Sequence, residues 1–183
     1  YDLELFSEAI KNFDRAISLG PDLTDAYDDR DKAYRQLELL AEAGLDTPAL
    51  EDLNRSYSGE FSQSESFAWR GRMAQIMGRD EEARSHFAQS INLGLETARS
   101  FAYIGDFYRS ESKYYHSENR LGQAIRLDPG LALAHHFLGL LHYDLELFSE
   151  AIKNFDRAIS LDPDLTDAYD DRDKAYRQLR SSA

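Results

Sequence analysis

The chain has 183 residues, 42% hydrophobic and 30% charged, enough apolar material for a folded domain with a substantial core and too much for a disordered chain. Its 34 acidic against 21 basic side chains leave a net charge of −13, which argues against nucleic acid and anionic membrane surfaces and favours basic or amphipathic polypeptide partners. No apolar run reaches the roughly 18 residues that signal a membrane span, and the absence of cysteine excludes disulfides, thiolate metal sites and thiol nucleophiles.

A start at Tyr1 without methionine reads as a fragment. The chain is expected to be soluble. Its compartment is left open, with a cytoplasmic one favoured.

In chain order, residues 1–23 hold one helix, 6–19, with no first-helix partner ahead of it; Phe6, Ile10, Phe13 and Ile17 line its apolar face. Residues 24–63 read as an irregular hairpin, with Tyr27 and Tyr34 on its first helix and Ala49, Leu50 and Leu53 on its second. A six-residue insertion around AEAGLDTP makes a Gly-then-Pro break there, with Thr47 placed as an N-cap. Three units of 34 residues follow, at 64–97, 98–131 and 132–165. Gly71, Gly105 and Gly139 keep that period, as do Phe67, Phe101 and His135, then Ala83, Ser117 and Ala151, then Phe87, Leu121 and Phe155.

Within 132–165, Leu133, Phe137, Leu138 and Leu141 mark a first helix. Phe148, Ile152, Phe155, Ala158 and Ile159 mark a second, which Asp162 and Pro163 stop. Gly139 is expected to let the two helices approach closely. Residues 166–179 form one more helix, carrying Tyr169 and Tyr176, with Arg172-Asp173 where the other units have Leu-Gly or its equivalent; residues 180–183 are a tail. The expected count is ten helices in one stack.

Residues 1–37 repeat residues 143–179 with a single change, Gly20 against Asp162. Four periods and the six-residue insertion account for the offset of 142, so the two copies occupy equivalent places in the stack. Packing constrains only part of each unit. Identity at surface positions such as Lys11, Asn12 and Gln36 therefore points to a recent duplication or deliberate construction. If the first copy's apolar face and that of residues 166–179 are both uncovered, the start of one molecule can complete the end of another. That predicts head-to-tail homo-oligomers through Phe6, Ile10, Phe13, Ile17, Tyr169 and Tyr176; the alternative is a first segment folded back on its own stack.

His135, Leu138, Gly139, His142, Ala151, Phe155, Ala158 and Pro163, repeated in phase by Phe101, Ile104, Gly105, Tyr108, Leu121, Ala124 and Pro129, resemble the tetratricopeptide repeat. The resemblance implies an all-α solenoid of antiparallel helix hairpins wound as a right-handed superhelix. It implies a non-catalytic scaffold that binds a peptide or protein in a concave groove lined by first helices. The self-associating module is the alternative function.

In register, the groove positions include Arg72, Arg99, Asp106, Arg109, His136 and Tyr143. Family members that grip chaperone carboxylates carry a basic and Asn clamp, which Asp28, Ala68 and Ala102 do not supply. Trp69, Tyr103 and Phe137 form a further column, readable as an aromatic strip for an apolar anchor. Packing between hairpins is the commoner fate of such a stripe. Arg72, Arg99 and Arg109 suit acidic side chains or a carboxylate, or else pair within an acidic surface. His135 and His142, seven apart, lack a third ligand, and the DDRD runs lack the glycine and terminal Glu of a calcium loop. No metal, cofactor or catalytic residue is expected.

Overall fold

The computed structural model describes residues 63–95 and 97–181, with scattered helical residues between Glu8 and Gln36. The chain divides into two compact units, Tyr1–Leu93 and Gly94–Ala183. Every regular element among the described residues is helical. Seven complete helices are described, α1 (Gln63–Ile76), α2 (Asp80–Leu93), α3 (Ala98–Ser110), α4 (Tyr114–Leu127), α5 (Ala132–Asp144), α6 (Phe148–Leu161) and α7 (Thr166–Ser181). About ten were expected; the first three expected ones, including the hairpin at 24–63, fall largely outside the described residues. The last helix runs two residues into the expected tail.

The period is visible in the elements. First helices begin at Ala98, Ala132 and Thr166, and second helices at Asp80, Tyr114 and Phe148. Each hairpin closes because a glycine removes the side chain where the second helix crosses. A Cβ on Gly71 would stand 2.7 Å from Phe87, one on Gly105 2.7 Å from Leu121, and one on Gly139 2.5 Å from Phe155. All three partners are buried, so these contacts set how near each pair can come.

The turn inside each hairpin is set by the backbone. Gly78, Ser112 and Glu146, one period apart, have φ of 69°, 57° and 59°. In the first, Arg79 N–H reaches back to Ala74 O at 2.8 Å; in the others Lys113 reaches Tyr108 O and Leu147 reaches His142 O, both at 2.8 Å. These are Schellman closures, which satisfy the last carbonyls of the first helix and need a left-handed residue. Glycine suits that position; Ser112 and Glu146 hold it against their side chains.

In the first unit, α1 and α2 are also joined by two buried serines. Ser64 Oγ donates to Ser90 O at 3.0 Å and Ser90 Oγ to Ser64 O at 2.7 Å. In the second unit α3 packs on α4 and α5 on α6, while α3, α5 and α7 also touch in succession. The first helices α3, α5 and α7 therefore form one layer, and α4 and α6 pack against it. The layers are closed by Leu121, Ala124, Leu141, Ala151, Phe155 and Ala158, all fully buried. Leu131 and Leu165, each just after the interhairpin proline turn, are buried as well, and Leu165 packs with Ala158 and Ala168.

Candidate partner-binding face

The layer of first helices in the second unit carries a row of charged groups that cross from one repeat to the next. Arg109, near the end of α3, donates through Nε to Asp106 Oδ1 at 2.8 Å and through Nη1 to Asp144 Oδ2 on α5 at 2.7 Å. Burial works against the Arg109 charge, but Asp106 and Asp144 outweigh it and hold the guanidinium above its ordinary pKa. One step along, His136 on α5 meets Asp171 on α7, Nε2 to Oδ2 at 2.9 Å, and Lys174 donates to the other oxygen at 2.7 Å. Burial raises the Asp171 pKa, yet the bonds from His136 and Lys174 more than cancel this and leave it below the usual value. With Asp171 ionised, His136 Nε2 must carry the proton. Both cross-repeat pairs are one period plus one residue apart, so each joins a helix to the next of its layer.

The groove residues expected from sequence divide on burial. Arg109, Tyr143 and Arg72 are half-buried and present part of their side chains to solvent. Asp106 and His136 are buried, engaged with Arg109 and Asp171. Arg99 is buried too; its Nη1 donates to Tyr103 Oη at 3.3 Å. The aromatic column is closed: Trp69, Tyr103 and Phe137 are 3%, 1% and 3% exposed. None of the three rings offers a face to a ligand; packing, the alternative given above, describes where they lie. Ala68 and Ala102, at clamp positions, are buried methyl groups with nothing to donate.

Of the residues expected to mediate end-to-end contacts, Phe6 and Ile17 lie outside the described residues. Ile10 is fully buried and Phe13 half-buried. Tyr169 is half-buried with the Arg172 guanidinium 5.4 Å over its ring, and Tyr176 is exposed.

Sequence reasoning missed Asp144, Asp171 and Lys174. Their signal was available: Asp144 follows Arg109, and Asp171 follows His136, by one period plus one. His135 and His142 act as packing groups. Burial lowers the pKa of His135 and His142, and Asn154 Nδ2 lies 3.0 Å from His142 Nδ1, a bond that needs the neutral ring. Among the described residues no three His, Asp or Glu side chains are grouped to hold a metal, and no helix is long and apolar enough to cross a membrane.

Comparison with known proteins agrees with this geometry. The family model for the tetratricopeptide repeat matches residues 132–165. Tetratricopeptide repeat protein 36 of Homo sapiens is 38% identical over 97 residues, covering 51% of this chain and 48% of that protein. The chain thus spans about half the length of that curated relative. Among solved structures, the first tetratricopeptide domain of Spaghetti (RPAP3) bound to an HSP90 peptide superposes with a TM-score of 0.56 at 18% identity, over 64% of this chain and 94% of that one. The human IFIT1 dimer with m7Gppp-AAAA superposes with a TM-score of 0.69 at 16% identity, over 95% of this chain and 42% of that one. At such identities the likeness is one of fold.

Proposed function

We propose, from the premise that this chain is a tetratricopeptide-repeat protein, that it is a non-catalytic scaffold holding a peptide or protein segment on the first-helix face of residues 98–181. The observation that supports this reading is the cross-repeat row. Arg109–Asp144 and His136–Asp171–Lys174 fix side chains that still reach solvent, with the Asp144 and Lys174 side chains 31% and 55% exposed. Groups already ordered lose little freedom when a partner docks. Half-buried Leu140 and Tyr143 lie on the same helix as Asp144 and add apolar area. The partner this suits carries a basic side chain beside an apolar one: carboxylates to receive the charge, an aromatic ring to receive the neighbour. The chain's net charge of −13 steers such a partner in. The same charge opposes an RNA like that held by the IFIT1 neighbour. Ala68 and Ala102 lack the clamp groups for a chaperone carboxylate.

The test is selection of peptides of about a dozen residues from a random display library on the full chain, followed by fluorescence polarisation with the enriched peptides. Affinities of about 1–100 μM are expected. Tyr143→Ala and Asp144→Ala should each weaken binding about fivefold or more, with the melting temperature nearly unchanged, and added salt should weaken it further. Enriched peptides that bind both variants as tightly as the wild type would place the partner elsewhere; no enrichment at all would remove the scaffold reading.

A further inference from the structure

Residues 6–37 repeat residues 148–179, the whole of α6 and all but two residues of α7, with only Gly20 for Asp162. In the second unit this segment is held on α5 by identifiable contacts. The Phe155 ring fills the space over Gly139, where a Cβ would come within 2.5 Å. Asn154 Nδ2 bonds His142 Nδ1, and Asp171 Oδ2 bonds His136 Nε2. Phe148 packs edge-on to Tyr143, with centroids 5.5 Å apart. Within the segment, Arg172 bonds Asp156 at 3.0 Å and Lys174 bonds Asp171. The first copy has every one of these groups: Phe6, Asn12, Phe13, Asp14, Asp29, Arg30 and Lys32. The described residues of that copy, from Glu8 to Leu19 and from Asp29 to Gln36, are helical at the equivalent positions.

We propose that α5 is a docking surface for residues 6–37 of a second copy of this chain, which exchange with the resident α6 and α7. The inference rests on the duplicated sequence and the α5 contacts, not on the scaffold reading. An exchange between like segments keeps the same contacts, so it is governed by concentration and by small differences between the two seats. Ile10 is fully buried and Ala33 buried, so two apolar side chains of the first copy are already covered, and docking on α5 exchanges one set of buried contacts for another. One difference bears on the balance. Phe155 is fully buried, whereas Phe13 is half-buried, so an intact phenylalanine contributes more on α5. The swap is heterologous, first copy into second seat, so it propagates as open chains rather than closing as a two-fold dimer.

A resident segment joined to α5 by a short turn acts as if at roughly millimolar concentration. At about 100 μM chain, the swapped form is therefore about a tenth as abundant as the monomer. Phe155→Ala weakens only the resident. The swap then moves an intact phenylalanine into the fully buried seat, a gain of roughly fivefold to tenfold, which brings the two forms near parity. Light scattering on the full-length Phe155→Ala variant should show a weight-average mass rising above 21.0 kDa as concentration increases. The double variant Phe155→Ala/Phe13→Ala, with no intact guest, should associate less. A monomer at every concentration up to about 1 mM, or equal association by both variants, overturns the proposal; equal association would mean nonspecific exposure of apolar surface. A second measurement does not depend on a destabilised fold. The chain has no native cysteine, so Asn12→Cys/His142→Cys under mild oxidation should give disulfide-linked dimers and longer species in amounts that grow with concentration. A link closed within one chain, or none, counts against a second copy as the guest.

Discussion

Gly139→Ala tests how the hairpins are made. The new methyl would lie 2.5 Å from Phe155 Cε1, 2.6 Å from Cδ1 and 3.0 Å from Cζ. Carbon atoms sit comfortably about 3.5–4.0 Å apart, so the ring must retreat by about 1 Å. It has little room, because it is fully buried in a cluster with Ala151, Ile152 and Ala175. Overpacking of this kind costs about 1–3 kcal/mol. Alanine's higher helix propensity offsets up to about 1 kcal/mol of that. The net expectation is a loss of about 1–2 kcal/mol, or roughly 2–8 °C in melting temperature. Urea unfolding followed by circular dichroism measures it, and amide exchange across α5 and α6 assigns the loss to this hairpin. Shortening the opposing side chain should relieve the clash, so Gly139→Ala/Phe155→Leu should be more stable than the sum of its single variants by about 1 kcal/mol. A Gly139→Ala protein as stable as the wild type, or strict additivity in the double variant, would refute the idea that close approach fixes this glycine.

Ser117 is fully buried and its hydroxyl has no hydrogen-bond partner among the described residues, while Ala83 and Ala151 occupy the equivalent places. Ser117→Ala should therefore raise stability by about 1 kcal/mol in the same urea assay; a loss would show that the hydroxyl is satisfied. Glu146→Gly relieves a left-handed backbone at φ 59° and should stabilise by about 0.5–1 kcal/mol, whereas Gly78→Ala, at φ 69°, should destabilise by a similar amount; the reverse order would exclude backbone strain as the cause. Burial lowers the folded-state pKa of His86, His135 and His142, so the unfolded chain binds protons first. The stability of the neutral rings is fully present above about pH 6.5 and declines as pH falls below it. His135→Phe/His142→Tyr, which restores the residue types of Phe101 and Tyr108, should flatten melting temperature against pH between about 7 and 5; an unchanged slope would shift the cause to carboxylates.

Much of the helical framework was legible because a repeat writes its packing rule several times. Gly105 with Leu121 and Gly139 with Phe155 recur at one spacing, and a side chain missing beside a large one at a constant interval has few readings other than a close crossing of helices. The turn residues were less legible. Gly78 alone suggests a left-handed turn, but Ser112 and Glu146 hide the same conformation behind ordinary side chains. The candidate face was only half readable. The positions of Arg109, His136 and Tyr143 on a first-helix face follow from the period. Their partners Asp144 and Asp171 do not, because a salt bridge between neighbouring helices depends on how far one is shifted along the other.

What the sequence determined by itself is the local and repeated part: where helices start and stop, and which faces are apolar, since these follow from propensity and spacing within a few turns. What only the tertiary structure decided is which of those faces is closed. Trp69, Tyr103 and Phe137 form as regular a column as any surface stripe, and Ile10 sits on as bare a helix as any exposed one. Burial is a property of what lies opposite a side chain, and periodicity along one chain does not record how deeply the facing element covers it.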